Sequence, residues 1–205
     1  MNWDRFKDLL KSDLARVVGQ SKGLCSLTAL KSYYVSESFK VCFWFRLGSY
    51  IATKNNFIFK TLLYLIKIKY LNIKRRTGVQ LPLLTKIDDG LMFCHFSCIV
   101  IAQSVNIGKN VSIHQGVTIG RIFNGKYSGV PTIGDNVVIF SGAKVLGNIK
   151  VGDNAVIGAN AVVTRDVPAN TVVAAGVPAK IISTDSSKCF NKEWGKYFHH
   201  SYSTL

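Results

Sequence analysis

The sequence is poor in acidic residues and has few charged residues of any kind. Of its 205 residues, 18% are charged and 48% are hydrophobic, with 11 Asp or Glu against 26 Lys or Arg. A chain of this composition can bury a core and is not a disordered polymer. Fifteen basic and four acidic residues lie in residues 1–80, whereas residues 81–205 are nearly balanced. The second part therefore lacks a basic footprint, and no nucleic-acid partner is expected.

Cysteine is also scarce, and its arrangement excludes a disulfide framework. The five cysteines are an odd, scattered set, and residues 1–10 contain no long apolar run that would indicate a signal peptide. We therefore expect a reducing cytoplasmic location. Cys94 and Cys98 flank His95, but this spacing matches no standard zinc motif. We expect no metal ion.

Long uninterrupted hydrophobic runs are missing as well. The helical spacing of apolar residues predicts helices over residues 3–17, 26–53 and 57–73. Lysines interrupt the third segment, which falls short of the roughly 20 apolar residues that a membrane span needs. It is either a core helix with a solvated basic face or a helix that lies on an anionic membrane surface.

From Ile101 onward the chain repeats in steps of six residues. Branched aliphatic residues hold one register at Ile101, Ile107, Ile113, Ile119, Ile133, Ile139, Val145, Val151, Ile157 and Val163. Neither a helix nor an alternating strand has this period. Short strands joined by tight turns do have it, when each step forms one side of a triangular coil. The repeat predicts a parallel β-helix with aliphatic residues stacked inside and glycines where turns exclude a side chain.

Two irregular steps interrupt this register. Between Ile119 and Ile133 the step is fourteen residues rather than twelve, and the polar segment 121–129 predicts a loop that leaves the coil. The other irregular step, between Phe93 and Ile101, contains His95. Because the repeat itself needs only packing, such irregularities are the expected places for chemistry.

Four segments carry a resemblance to a known family: residues 90–101, 107–120, 133–136 and 174–180. They resemble the hexapeptide-repeat acyltransferases, specifically the serine-acetyltransferase-like branch. The resemblance implies a mainly β fold, a left-handed parallel β-helix after an N-terminal α-helical segment. It also implies a homotrimer with active sites between subunits, and acetyl-CoA as the acetyl donor.

We expect three parts in this chain. They are a basic α-helical segment (1–78), the β-helix acyltransferase domain (79–182) and a C-terminal tail (183–205).

The resemblance places the family's catalytic histidine at His95. A histidine is suited to remove the proton from an attacking hydroxyl, because an imidazole titrates near neutral pH. A thioester needs no nucleophile from the enzyme, so one base and donors for the developing oxyanion suffice. Gln80 would orient His95 through its amide oxygen. Cys94 and His114 are candidate substrate contacts, with a structural role as the alternative for His114.

Candidate contacts to acetyl-CoA lie further along the chain. Small residues that would let the pantetheine arm approach the backbone are Gly120, Gly142, Ala143, Ala159 and Ala161. Lys126 and Lys180 would attract the phosphates of CoA, or are simply solvated lysines.

The chain also departs from the serine enzymes. These carry Asp where this chain has Gln80 and Cys94, and Arg-His where it has Gly129 and Val130. Without these charges, free serine is a poorly matched acceptor. The pattern is closest to the enzymes that O-acetylate capsule, O-antigen or exopolysaccharide sugars.

We therefore expect an acetyl-CoA-dependent O-acetyltransferase that acts on a bacterial surface-polysaccharide sugar. Its location would be cytoplasmic, with peripheral contact at the inner face of the cytoplasmic membrane as an open question. One alternative is a serine O-acetyltransferase of cysteine biosynthesis. The other is a membrane-associated trimeric scaffold without enzyme activity.

Overall fold

The computed structural model describes residues 1–19, 26–174 and 176–189. Most of the expected tail, residues 190–205, lies outside the described residues, as does Cys25.

Helices occupy the N-terminal part of the described chain. They are α1 (Trp3–Val18), α2 (Ser26–Val35), α3 (Glu37–Ala52) and α4 (Phe57–Thr77). The three predicted helical segments are confirmed, and residues 26–53 are divided into two helices. Ser36 has extended backbone, and its hydroxyl accepts a hydrogen bond from the Phe39 N–H at 3.2 Å. Ser36 therefore caps α3 and separates it from α2.

Short strands follow in regular succession. They are β1 (Val79–Gln80), β2 (Lys86–Ile87), β3 (Met92–Phe93), β4 (Ile99–Ile101), β5 (Asn106–Ile107), β6 (Ser112–Ile113), β7 (Thr118–Gly120), β8 (Thr132–Ile133), β9 (Val138–Ile139), β10 (Lys144–Leu146), β11 (Lys150–Val151), β12 (Val156–Ile157), β13 (Val162–Val163), β14 (Val172–Ala174) and β15 (Lys180–Ser183). A 3₁₀ turn, Ser187–Cys189, ends the described chain.

The strands stack into the three faces of a parallel β-helix. The orders are β1-β4-β7-β10-β13, β2-β5-β8-β11 and β3-β6-β9-β12-β14-β15. The pairs are parallel except for β14 with β15, where the last strand turns back antiparallel along the edge. The aliphatic residues of the six-residue repeat point inward, and most of them are fully buried. The predicted stacking is therefore confirmed.

Asparagines form several of the left-handed turns of the coil. Asn110, Asn136 and Asn154 have φ near +55°, and each of their side chains donates a hydrogen bond to the asparagine of the next coil, the last to Asn170, over 2.8–3.1 Å. The glycines that follow the inward aliphatic residues leave no room for a side chain, because a Cβ at Gly134 would lie 2.9 Å from the backbone nitrogen of the coil above. The prediction that a side chain would clash at these glycines is therefore confirmed.

A buried ion pair fixes the helices on the first coil. The carboxylate of Asp13 accepts hydrogen bonds from Arg46 at 2.9 and 3.2 Å and from the Leu91 N–H at 2.8 Å. Arg46 also donates to the carbonyls of Ile87 and Asp88, each at 2.6 Å. One pair of side chains therefore joins α1, α3 and the first coil.

The predicted loop between β7 and β8 is confirmed. Ile122 and Gly129 exchange two backbone hydrogen bonds of 3.0 and 2.9 Å, so the segment leaves the coil as a short antiparallel excursion. Phe123, near its tip, is 79% exposed.

Candidate active site

His95 lies in the turn between β3 and β4, at the irregular step of the repeat. Its side chain is exposed. The turn has two residues with positive φ, Ser97 at 106° and Cys98 at 52°, so its backbone differs from that of the regular coils. Gly78 makes room for it, because a Cβ there would approach the Cys98 nitrogen to 3.0 Å. The start of β1 thus supports the turn that presents His95.

His114 lies beside His95 on the next coil. It directly follows β6, which pairs with β3, and the two imidazole centroids are 5.9 Å apart. The ring stacks on Phe140 of the following coil at 4.9 Å and is buried, and its Nε2 has no hydrogen-bond partner among the described residues. Burial, together with the neighbouring His95, lowers the pKa of His114 to about 4. His114 is therefore a neutral ring at pH 7.

Cys94 is buried beneath α1. Arg16 of α1 donates a hydrogen bond of 2.6 Å to the Ser112 hydroxyl, and Cys94 lies beside this pair. Burial raises the pKa of the Cys94 thiol to about 12, against smaller opposing effects of Arg16 and Ser112. The thiol is therefore protonated and uncharged at neutral pH. Its contact with a substrate stays a prediction.

Gln80 lies exposed on β1, two residues after the glycine that supports the His95 turn. Within the described part of the chain, no hydrogen bond joins Gln80 to His95. The orienting role of Gln80 therefore stays a prediction.

The small candidate cofactor residues differ in burial. Ala143 and Ala161 are fully buried in the β-helix core, so a cofactor could reach only their backbone. Gly120 and Gly142 are packed against the next coil, and Ala159 is exposed. Their contact with a cofactor stays a prediction.

The two candidate lysines lie on the surface. Lys126 is exposed in the 121–129 loop, with its ammonium 5.6 Å from the Tyr127 ring centroid, and Lys180 is exposed at the start of β15. Their contact with the phosphates of CoA stays a prediction.

Three polar or aromatic groups near the two histidines were not anticipated from the sequence. Phe140 takes the same coil position as Cys94 and His114, directly after the inward aliphatic residue, and this register is the signal that would have found it. The Oε1 atom of Gln115 is buried without a partner in the described regions. Lys144 donates hydrogen bonds to the Gly116 carbonyl at 2.6 Å and to the Thr118 hydroxyl at 3.2 Å. No sequence motif marks Gln115 or Lys144.

The same region offers no metal centre. Among residues 1–19, 26–174 and 176–189, no group of three or more His, Cys, Asp or Glu is placed to hold a metal ion.

Comparison with known proteins points to one family. The family described as bacterial transferase hexapeptide (six repeats) matches residues 131–165. A serine acetyltransferase of Staphylococcus aureus is 41% identical over 124 residues, which cover 60% of this chain and 55% of that protein. The chain thus spans about half the length of the curated relatives it matches.

Solved structures extend the similarity to most of the chain. A serine acetyltransferase in complex with cysteine is 33% identical with a TM-score of 0.69, covering 88% of this chain and 71% of that one. The Neisseria gonorrhoeae serine acetyltransferase in complex with serine is 30% identical, also with a TM-score of 0.69, covering 88% and 70%. The predicted fold, a left-handed parallel β-helix after an N-terminal helical segment, is confirmed.

Proposed function

Because this chain belongs to the serine acetyltransferase family of hexapeptide-repeat proteins, we propose that it is an acetyl-CoA-dependent O-acetyltransferase. The observation that carries the proposal is the exposed His95 beside the buried His114, in the irregular turn between β3 and β4.

In the proposed reaction, His95 takes the proton from an acceptor hydroxyl as its oxygen attacks the thioester carbonyl. A C–O bond forms, the C–S bond breaks, and the proton passes from His95 to the departing thiolate of CoA. His114 is neutral and does not compete with His95 for the proton. Its stacking on Phe140 holds it in place at the wall of the site.

The names of the relatives favour L-serine as the acceptor over the polysaccharide sugar that we expected from the sequence. L-Serine is therefore the first candidate. A sugar hydroxyl is the second, and the charge of the site favours it. Gln80 and the protonated thiol of Cys94 carry no charge that would bind an ammonium group. The family resemblance places arginine and histidine at the positions of Gly129 and Val130, where this chain offers no cation for a carboxylate.

A thiol-release assay with acetyl-CoA separates these possibilities. L-Serine and a panel of hexoses and N-acetylhexosamines are supplied at millimolar concentration, and products are identified by mass spectrometry. Saturable release of CoA with L-serine and a mass increase of one acetyl group establish the first candidate. Turnover with a sugar alone establishes the second. Absence of release with every acceptor contradicts the enzyme proposal and leaves the trimeric scaffold.

A further inference from the structure

Helix α4 presents a broad apolar face that no described part of the chain covers. Its inward stripe is narrow and consists of Ile66, Tyr70, Ile73 and Thr77, all buried. On the opposite side, five large side chains are 43–80% exposed: Phe57, Tyr64, Leu65, Ile68 and Leu71. Phe57, Tyr64 and Leu71 are seven residues apart and form one ridge along the helix. Packing on the protein therefore uses only one side of α4.

Basic residues line both flanks of this ridge. Lys67 and Lys74 each follow an inward residue by one position, and Lys69 and Arg76 each precede one. Since one position rotates the side chain by about 100°, these pairs lie on opposite sides of the stripe. Lys60 continues the first row, and Arg75 stands at the C-terminal end of the ridge. Long basic side chains in such rows can keep their charges in water while the apolar ridge is buried.

The charge of α4 opposes pairing with a second copy of the same helix. Residues 57–77 contain six Lys or Arg and no Asp or Glu. Two such helices packed ridge to ridge would bring like charges together without acidic partners. Among the described residues, α4 forms an ion pair through Arg76, whose guanidinium lies 4.0 Å from the Glu37 carboxylate. The positive charge is thus free to meet a negatively charged surface.

We propose that α4 lies flat on an anionic phospholipid bilayer, with the Phe57–Leu71 ridge in the headgroup region and the basic flanks at the lipid phosphates. An apolar face flanked by lysines is the arrangement of interfacial helices. None of the described helices is long and apolar enough to cross a bilayer. The inference is independent of the acceptor and of the proposed reaction.

Vesicle flotation of the full chain tests this inference. We expect binding to phosphatidylcholine vesicles that contain phosphatidylglycerol, weak binding to phosphatidylcholine alone, and a loss of affinity as salt screens the phosphates. The triple change Lys60→Gln, Lys67→Gln and Lys69→Gln should weaken binding about a hundredfold. Ile68→Ser should weaken the binding to vesicles that remains at high salt, because that binding comes from the apolar ridge.

A matched control removes the same charge from the β-helix. Lys86, Lys109 and Lys150 are exposed on the coils, and their triple change to Gln should leave vesicle binding within about twofold of the wild type, because they lie away from the ridge. Circular dichroism and the melting temperature confirm that all variants are folded.

Three results would overturn the inference. The first is no flotation with anionic vesicles at low salt, and the second is an equal loss in the control triple. The third is an Ile68→Ser variant that keeps its lipid binding but has a smaller assembly mass, which would identify α4 as an interface between copies.

Discussion

At the scale of single residues, His95 and His114 are neighbours with opposite environments. His95 is exposed on a turn with positive φ at two residues, whereas His114 is buried under an aromatic ring. The two histidines, whose ring centroids lie 5.9 Å apart, can therefore serve different purposes. His95 is therefore the ring that an acceptor hydroxyl can reach from solvent.

Replacing His95 by Ala should reduce acetyl transfer by about 10²–10⁴-fold, the usual contribution of a general base. The melting temperature should not fall, because the side chain is exposed. Steady-state thiol release measures the rate, and Gln103→Ala, at another exposed polar position, is the control. A variant that keeps more than about a tenth of wild-type turnover would exclude His95 as the base.

His114 should make stability depend on pH. Its pKa in the folded protein is about 4, against an ordinary value of 6.5. As pH falls from 7 to 5, the unfolded chain takes up a proton at His114 and the folded protein does not, so unfolding becomes easier. His114→Phe removes this effect and keeps a ring against Phe140.

Urea unfolding at pH 7 and pH 5 measures this dependence of stability on pH. Between these two pH values, the wild type should lose about 2 kcal/mol more than His114→Phe. Equal losses in the two proteins would show that His114 is accessible to protons in the folded state.

At the scale of elements, the contact between the helices and the β-helix depends on Asp13 and Arg46. Both side chains are almost fully buried, and the guanidinium has four hydrogen bonds to α1 and to the first coil. By contrast, the ion pairs of Arg5 with Asp88 and Asp89 are partly exposed. The Asp13–Arg46 pair and the ion pairs of Arg5 both connect the helices to the first coil, but they differ in burial.

Asp13→Ala should destabilise the protein by about 3–5 kcal/mol, because it leaves the Arg46 guanidinium buried without its carboxylate. Arg5→Gln is the control and should cost about 1 kcal/mol or less. The free energy of unfolding in urea compares them. If the two changes cost the same, the buried pair is not what holds the helices to the first coil.

At the scale of the whole molecule, the chain is a stack of coils with the site on its side rather than in an enclosed cavity. His95 is exposed, and the loop 121–129 extends from the same stack. An open site of this kind can be completed by a neighbouring subunit, which fits the homotrimer that the family resemblance implies.

Light scattering coupled to size exclusion should therefore give a mass about three times the 22.6 kDa of the chain. Phe123→Ser, at the exposed loop, tests whether that loop contributes to association. A monomer at micromolar concentration would contradict the proposed assembly and would leave the site as the single chain presents it.

The fold follows from local sequence. Each six-residue step specifies its own inward aliphatic residue, so the β-helix is readable without knowledge of distant contacts. The helix positions, the excursion at 121–129 and the irregular turn at His95 are readable for the same reason. The division of residues 26–53 was not anticipated, because the cap at Ser36 is a weak local signal.

The site and the free surfaces depend on packing between residues far apart in the chain. The row of His95, His114 and Phe140 joins three coils whose lengths differ, and Cys94 lies beside Arg16 of α1. The apolar residues of α4 are alike in sequence, and only contact with α3 and β1 selects which of them are covered. A one-dimensional pattern specifies which residues can be buried, whereas the position of the neighbouring elements selects which ones are.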